Sequence, residues 1–444
     1  MHSTGLYSYY TSIKTFFNVS KKQQLARNTF WMFLGQGIRI PLQAVYFIFT
    51  ARTLGAQGYG AFVGATALVA ILAPFASLGC GNILIKNVSR DESTFQRYWG
   101  KALVLTLLSG TVLLLSAVLL SRIFLPATIP FALILSIAVA DLVFSRLLDI
   151  SSQAFQAFQL LARTSQLMIL PNVVRLVLLA CLLLVTQKPS IILWGYFYLF
   201  SVFISALVGT LLVHRELGSP VFDKHIIFSD LKEGVYFSVS LSSQNVYNDI
   251  DKTMLTKIST LSSAGIYAAA YRLIDVSFIP IRSLLYASYA RFFQNGRNGL
   301  SGSLDFAKKL LPYALVYAVV VSACLFFLAP FLPLVLGVEF RETVRALQWL
   351  SLLPLLKVLH SFAADSLTGA DFQGVRTFSQ VLCAIFNVML ILWLVPIYSW
   401  RGAAWASLAT DGVLAVVLWL VVFYCKGREK LNIMNLCSLQ KKES

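Results

Sequence analysis

Charge is what this chain has least of. Only 12% of its 444 residues are Asp, Glu, Lys or Arg, and 58% are hydrophobic, whereas a soluble domain carries about a quarter charged residues. That shortage excludes a water-soluble globular protein. Cysteine is sparse and scattered: Cys80, Cys181, Cys324, Cys383, Cys425 and Cys437 show no CxxC spacing, so they read as packing residues rather than a disulfide or metal framework. The four histidines form no ligand cluster. No GxxxxGK[ST] phosphate loop occurs, so ATP hydrolysis by this chain is not expected. The loops are too short to hold a catalytic or nucleotide-binding domain, so neither an enzyme nor a cofactor is expected. Residues 1–27 are polar and basic, and the first apolar run is a full span rather than a short h-region, so no cleavable signal peptide is expected.

What the chain has in quantity is long apolar runs. A spanning helix needs about 20 largely apolar residues, and the sequence offers about twelve such stretches. They cover residues 29–50, 59–79, 102–121, 129–150, 168–186 and 190–213, then 235–258, 264–290, 312–336, 344–367, 375–398 and 402–424. Runs such as "KALVLTLLSGTVLLLSAVLL" lack the strict alternation of a membrane β-barrel. The expected fold class is therefore an all-α polytopic membrane protein.

Lys and Arg concentrate in loops on the cytoplasmic side of a membrane. With the N-terminus inside, 22 loop and tail cations fall on that side and seven, including Arg52, Lys257 and Arg401, on the other. Both termini are expected in the cytoplasm. This bias also accounts for the net charge of +17, which points to membrane lipid headgroups and not to a nucleic-acid partner.

The longest polar stretch between spans, "HRELGSPVFDKHIIFSDLKEG", separates six spans from six. Two bundles, 1–222 and 223–444, are expected. "LGAQGYGAF" after the first span and "LSSAGIYAA" after the seventh repeat Leu54, Gly58 and Ala61 as Leu261, Gly265 and Ala268. Six spans per repeat leave both halves in one orientation, related by an axis along the membrane normal.

Three segments carry a family resemblance. "RNTFWMFLGQGIRIPLQAVYFIFTARTLGAQGYGAF", "YNDIDKTMLTKISTLSSAGIYAAAYRL" and "GAAWASLATDGVLAVVLWL" resemble the first helix pair, the seventh-to-eighth helix passage and the last helix of polysaccharide-unit flippases. These are the O-antigen and exopolysaccharide flippases of the multidrug/oligosaccharidyl-lipid/polysaccharide exporter superfamily. The resemblance implies two six-helix bundles forming a V around a central cavity in the bacterial inner membrane. It implies movement of an undecaprenyl-pyrophosphate-linked oligosaccharide from the cytoplasmic to the periplasmic leaflet by alternating access, in lipopolysaccharide or exopolysaccharide assembly. Contacts with polysaccharide polymerase machinery would follow from that role. An ion-coupled multidrug antiporter of the same superfamily is the nearest alternative, and a membrane-embedded polymerase or ligase a more distant one.

Charges inside spans need a partner, water or a function, since each costs at least about 2.5–3.5 kcal/mol at mid-bilayer. Spacing of three residues allows Asp249 with Lys252, Arg146 with Asp149 and Arg272 with Asp275 to neutralise one another on one helix face. Arg39, Arg175, Arg282, Lys357, Asp141, Asp251, Asp365 and Asp411 have no such neighbour. Snorkelling suits Arg175 and Arg282 near span ends. Arg39 and Lys357, in different halves, either pair across helices or converge on a diphosphate, whose oxygens suit guanidinium forks and ammonium charge. Arg175, Arg282, Lys252 and Arg272 complete the candidate anion site. Asp251 follows Gln244 and Asn248 on a polar stripe; with Asp141 and Asp365 it is a candidate for H⁺ or Na⁺ coupling, the other reading being a hydrogen bond to sugar or helix. Gly60 and Gly64 suit close helix packing. Pro41, Pro74, Pro171, Pro280 and Pro354 mark expected kinks. Tyr236, Tyr247, Tyr267 and Tyr271 are interfacial aromatics or sugar platforms.

Overall fold

The computed structural model describes residues 21–88, 91–186, 189–222, 249–297, 299–370 and 372–443, without the side chains of 21–30, 32–33, 86, 286–287, 290 and 428–443. Among these residues helices account for nearly all regular structure and no strand occurs. That is what lipid demands, since a helix satisfies its backbone groups within one segment.

The N-terminal half begins with α1 (Lys21–Leu72), followed by a short 3₁₀ turn and α2 (Cys80–Val88). Next come α3 (Phe95–Phe124), α4 (Phe131–Val139), α5 (Ser145–Ala157), α6 (Leu161–Val185) and α7 (Ile191–Glu216). The C-terminal half has a helical segment at 249–258, then α8 (Leu261–Ser277), α9 (Ile279–Gly296), α10 (Gly299–Leu328) and the short α11 (Leu332–Leu336). It ends with α12 (Arg341–Leu350), α13 (Leu353–Gly369), α14 (Gln373–Tyr398) and α15 (Trp400–Glu443).

Among the described residues, eight helical elements are long and apolar enough to cross a membrane, or ten if α8 with α9 and α12 with α13 each form one bent span. The chain is a multi-pass membrane protein. The difference from the expected twelve has two sources. One is α1, which holds two expected spans joined at Gly55, whose φ of 67° breaks the helix; that left-handed region is open to glycine without a Cβ penalty. The other is the expected span 235–258, of which 235–248 lie outside the described residues, as does most of the central polar stretch.

Proline acts differently at different places. Pro280 and Pro354 sit in the first turn of α9 and α13, where no helical N–H is lost, just after bends of 43° and 41°. Pro41 and Pro171 lie within the continuous helices α1 and α6. Pro74 opens the 3₁₀ turn after α1.

The outer surface is apolar, as hydrocarbon requires: Leu119, Leu184, Phe327 and Tyr313 are among its exposed side chains. Helices before residue 217 pack mainly with one another, as do those after 260, and the most extensive junction between the two sets joins α1 to α8. One buried core contains Phe47, Ala51, Ala56 and Tyr59 of α1 together with Leu255, Tyr267, Tyr271 and Phe340. Close approach is possible because both helices present glycine. A Cβ on Gly60 would overlap the Leu261 carbonyl, and one on Gly265 would overlap that of Ala56. Gly64 likewise faces Thr256. The two repeated segments of the sequence thus cross each other.

At this end of the bundle further contacts span the halves. Arg52 donates from Nε to the Val335 carbonyl at 2.6 Å and from Nη2 to that of Leu334 at 2.5 Å. The Ala56 N–H, freed by the break at Gly55, donates to the Glu339 carboxylate at 3.0 Å. Lys257 donates to the Leu125 carbonyl at 3.3 Å.

Candidate functional site

Arg39 is half-buried on α1, and the charges acting on it are those of Asp149, Arg272 and Arg175. Arg272, from α8 in the other half, is also half-buried and donates to Gln43 Oε1, one turn along α1 from Arg39, at 3.4 Å. Neither guanidinium has a carboxylate within ion-pair distance among the described residues. The local pairing of Arg272 with Asp275 expected from spacing is not formed: Asp275 instead lies 3.9 Å from Lys357. Arg39 and Arg272 thus sit on α1 and α8, the helices that join the two halves, within electrostatic reach of each other.

Lys357 makes contacts across helices, one of its two expected readings. It is buried on α13, donates to the Tyr271 hydroxyl at 2.9 Å and stands 4.7 Å from the centroid of that ring. Lys252 lies 4.4 Å from the same centroid and pairs with Asp249 at 2.8 Å. Lys357 is thus bound into the C-terminal half, and Arg272 is a cation of that half whose charge acts on Arg39. Two ammonium groups against one phenol ring also account for Tyr271, whose face meets cations. Tyr267 is fully buried; its hydroxyl donates to the Asp251 carboxylate and lies 2.9 Å from Ser407 Oγ. Neither ring is placed to stack on a sugar. Tyr236, Tyr247, Gln244 and Asn248 lie outside the described residues.

The aspartates each have a donor. Asp251 also accepts the Lys252 backbone N–H at 2.7 Å. Asp365 is bridged by Arg376 of α14 at 3.3 Å. Asp141 accepts from the Tyr198 hydroxyl at 2.8 Å. It sits in a π-helical turn, Ala140–Phe144, that joins α4 to α5. Arg175 lies between two rings, 4.4 Å from the Tyr198 centroid and 5.0 Å from that of Tyr46. Arg146 pairs with Asp149 at 2.9 Å, as spacing indicates. Arg282 is exposed on α9.

Sequence reasoning missed Gln43, Tyr46, Tyr198, Arg376 and His360. Gln43 follows Arg39 by four residues, a helical spacing that would have placed it on the same face. The others act across helices distant in sequence, and no local pattern signals them.

Residues 25–291 match the family described as polysaccharide biosynthesis protein. No curated protein matches the sequence. The fold is similar to that of an inward-facing multidrug resistance MATE family transporter of the MOP superfamily, with a TM-score of 0.70 at 15% identity, covering 91% of this chain and 96% of the other. An outward-facing transporter of that family gives a TM-score of 0.62 at 14% identity over 93% and 98% of the two chains. A MOP superfamily transporter from Pyrococcus furiosus, described as having a binding pocket of reversed polarity, gives 0.61 at 15% identity over 91% and 95%.

Proposed function

Since the chain belongs to the polysaccharide biosynthesis protein family, we propose that it is a flippase moving a polyprenyl-pyrophosphate-linked sugar unit from the cytoplasmic to the periplasmic leaflet of a bacterial inner membrane. The observation that carries this reading is the Arg39–Arg272 juxtaposition. A diphosphate brings two or more negative charges out of headgroup water, and guanidinium forks bind phosphate oxygens in a bidentate manner. Two such forks, one from each half and neither in an ion pair among the described residues, match that headgroup. Because they belong to different halves, binding a shared anion would couple occupancy to the relative position of the halves.

The bundles divide in this reading at about residue 222, with both termini cytoplasmic, and transport proceeds by alternating access. The contacts at Gly60, Gly265, Arg52 and Glu339 would close the periplasmic end in the state described here. A multidrug antiporter is the competing activity, favoured by likeness to MATE folds. It calls for an acid-lined site for cationic drugs, whereas the pair at the interface is cationic.

The test is mass spectrometry of polyprenyl-linked sugars in cells depleted of the protein, with each leaflet probed for accessibility. A pyrophosphate-linked oligosaccharide accumulating in the cytoplasmic leaflet is the expected result. A normal pool together with new sensitivity to cationic drugs would replace the flippase with the antiporter. The same spectra would identify the sugar and show whether O-antigen or exopolysaccharide assembly depends on it.

A further inference from the structure

Inside the N-terminal half, α1, α6 and α7 gather three aromatic rings around one cation. The Arg175 guanidinium lies 4.4 Å from the centroid of Tyr198 and 5.0 Å from that of Tyr46, and the Tyr46 ring is 6.1 Å from that of Trp194. Aromatic rings hold a guanidinium by its faces, while its N–H donors point outward in its own plane. Those donors are not all used. Arg175 Nε is buried and makes no hydrogen bond among the described residues, and the same is true of Trp194 Nε1, on a residue 2% exposed. Buried donors in native proteins nearly always have an acceptor, so two of them in one cluster mark a place for one.

The acids nearby do not supply it. The groups acting on Arg175 are the Tyr198 and Tyr46 hydroxyls and Asp141. Asp141 takes the Tyr198 hydroxyl at 2.8 Å and forms no ion pair with Arg175. Asp149, the other acid of this region, pairs with Arg146 at 2.9 Å. Arg39 in turn feels the charges of Arg175 and Arg272, so the region keeps a positive excess over its two acids. The cluster also lies in line with the proposed headgroup clasp. Tyr46 follows Arg39 by seven residues on α1, two helical turns along the same face and about 10 Å away, toward the end closed at Gly60 and Gly265. A short saccharide attached to a diphosphate at Arg39 would reach it.

We propose that Arg175 and Trp194 form a subsite for a carboxylate carried by the sugar unit, which makes the substrate an acidic saccharide, such as one containing a uronic acid. A carboxylate presents two oxygens in one plane, one suited to the guanidinium edge and the other to the indole N–H. With Asp141 close by, this singly charged group is favoured over a doubly charged phosphate ester. The position of the diphosphate in this assignment rests on the flippase reading above, whereas the demand for a carboxylate arises within the N-terminal half alone.

The test uses the full-length protein in nanodiscs and two short-chain polyprenyl-pyrophosphate disaccharides, identical except that one ends in glucuronic acid and the other in glucose. The acidic probe is expected to bind about 10- to 100-fold more tightly, the range for a hydrogen bond to a charged group. Arg175→Gln should abolish that preference and Trp194→Phe should reduce it. Equal affinity of the unaltered protein for the two probes overturns the subsite, whether or not the variants fold. An Arg175→Gln protein that keeps the preference overturns it as well. If neither lipid-linked probe binds, the flippase reading falls, and the free disaccharides, followed by saturation-transfer NMR, then decide the subsite. A preference for the acidic disaccharide that disappears in Arg175→Gln upholds it, and no preference overturns it.

Discussion

The guanidinium of Arg175 lies 4.4 Å from the centroid of the Tyr198 ring, whose hydroxyl in turn donates to Asp141 at 2.8 Å. One tyrosine thus serves a cation through its face and a carboxylate through its edge, linking α6, α7 and the π-turn after α4. A π-turn inside a helix is uncommon and is retained where it aims a particular side chain; here it presents Asp141.

Tyr198→Phe keeps the ring under Arg175 and removes the only hydroxyl donated to Asp141 among the described contacts. Leaving a half-buried carboxylate short of a donor costs up to about 1–3 kcal/mol. Thermal unfolding in detergent should show that loss, and the Tyr198→Phe/Asp141→Asn double variant should recover part of it, since the two residues share one interaction. Full additivity of the two losses would show that the hydrogen bond contributes nothing.

The proposed headgroup clasp requires both arginines. Arg39→Ala and Arg272→Ala should each weaken binding of a polyprenyl-pyrophosphate probe by about 10- to 100-fold, the equivalent of about 1.5–3 kcal/mol for a charged hydrogen bond. Unfolding temperatures should stay near those of the unaltered protein, because neither side chain holds a carboxylate partner within the described structure. Unchanged affinity in both variants, measured by probe titration, removes the clasp.

These assignments also show where sequence patterns carry information. Apolar runs revealed most of the spans because lipid enforces length and composition on each helix separately. Spacing of three residues revealed Arg146–Asp149 and Asp249–Lys252, contacts within single helices. Arg272 obeyed the same spacing and nevertheless turned to Gln43, because α1 passes close enough to compete with its own helix. Lys357–Tyr271, Arg376–Asp365 and His360–Asp411 depend on how α8, α13, α14 and α15 pack, information that no local window contains. Glycine lies between these cases: the spacing of Gly60 and Gly64 marked a packing face, and the structure supplies the partners, Leu261 and Thr256.

Gly60→Leu tests the crossing of α1 and α8. Even the first carbon of the new side chain would overlap the Leu261 carbonyl, so the helices must separate. In a variant lacking the native cysteines, a cysteine placed at Ala56 should react faster with a membrane-impermeant maleimide when Gly60→Leu is added. An unchanged labelling rate would mean that α1 and α8 accommodate the bulk without opening this end.

Arg52 and Glu339 form the polar part of the same closure, and they act on it in different ways. Arg52 satisfies two carbonyls at the end of α11, while Glu339 receives the Ala56 N–H that the break at Gly55 leaves without a helical partner. Both contacts cross the halves, and both must break if this end opens. Each exposed side chain regains water on opening, so the net contribution per contact is modest, about 0.5–1.5 kcal/mol, and a shift of about 2- to 10-fold between closed and open populations is expected for Arg52→Ala or Glu339→Gln. Distances between spin labels on Leu54 and Val338, measured by pulsed electron resonance, report that ratio directly. The open-state population should rise in each variant and further in the double variant. If the distance distribution is the same in all three, the apolar crossing at Gly60 and Gly265 alone holds the end shut, and the polar contacts merely follow it.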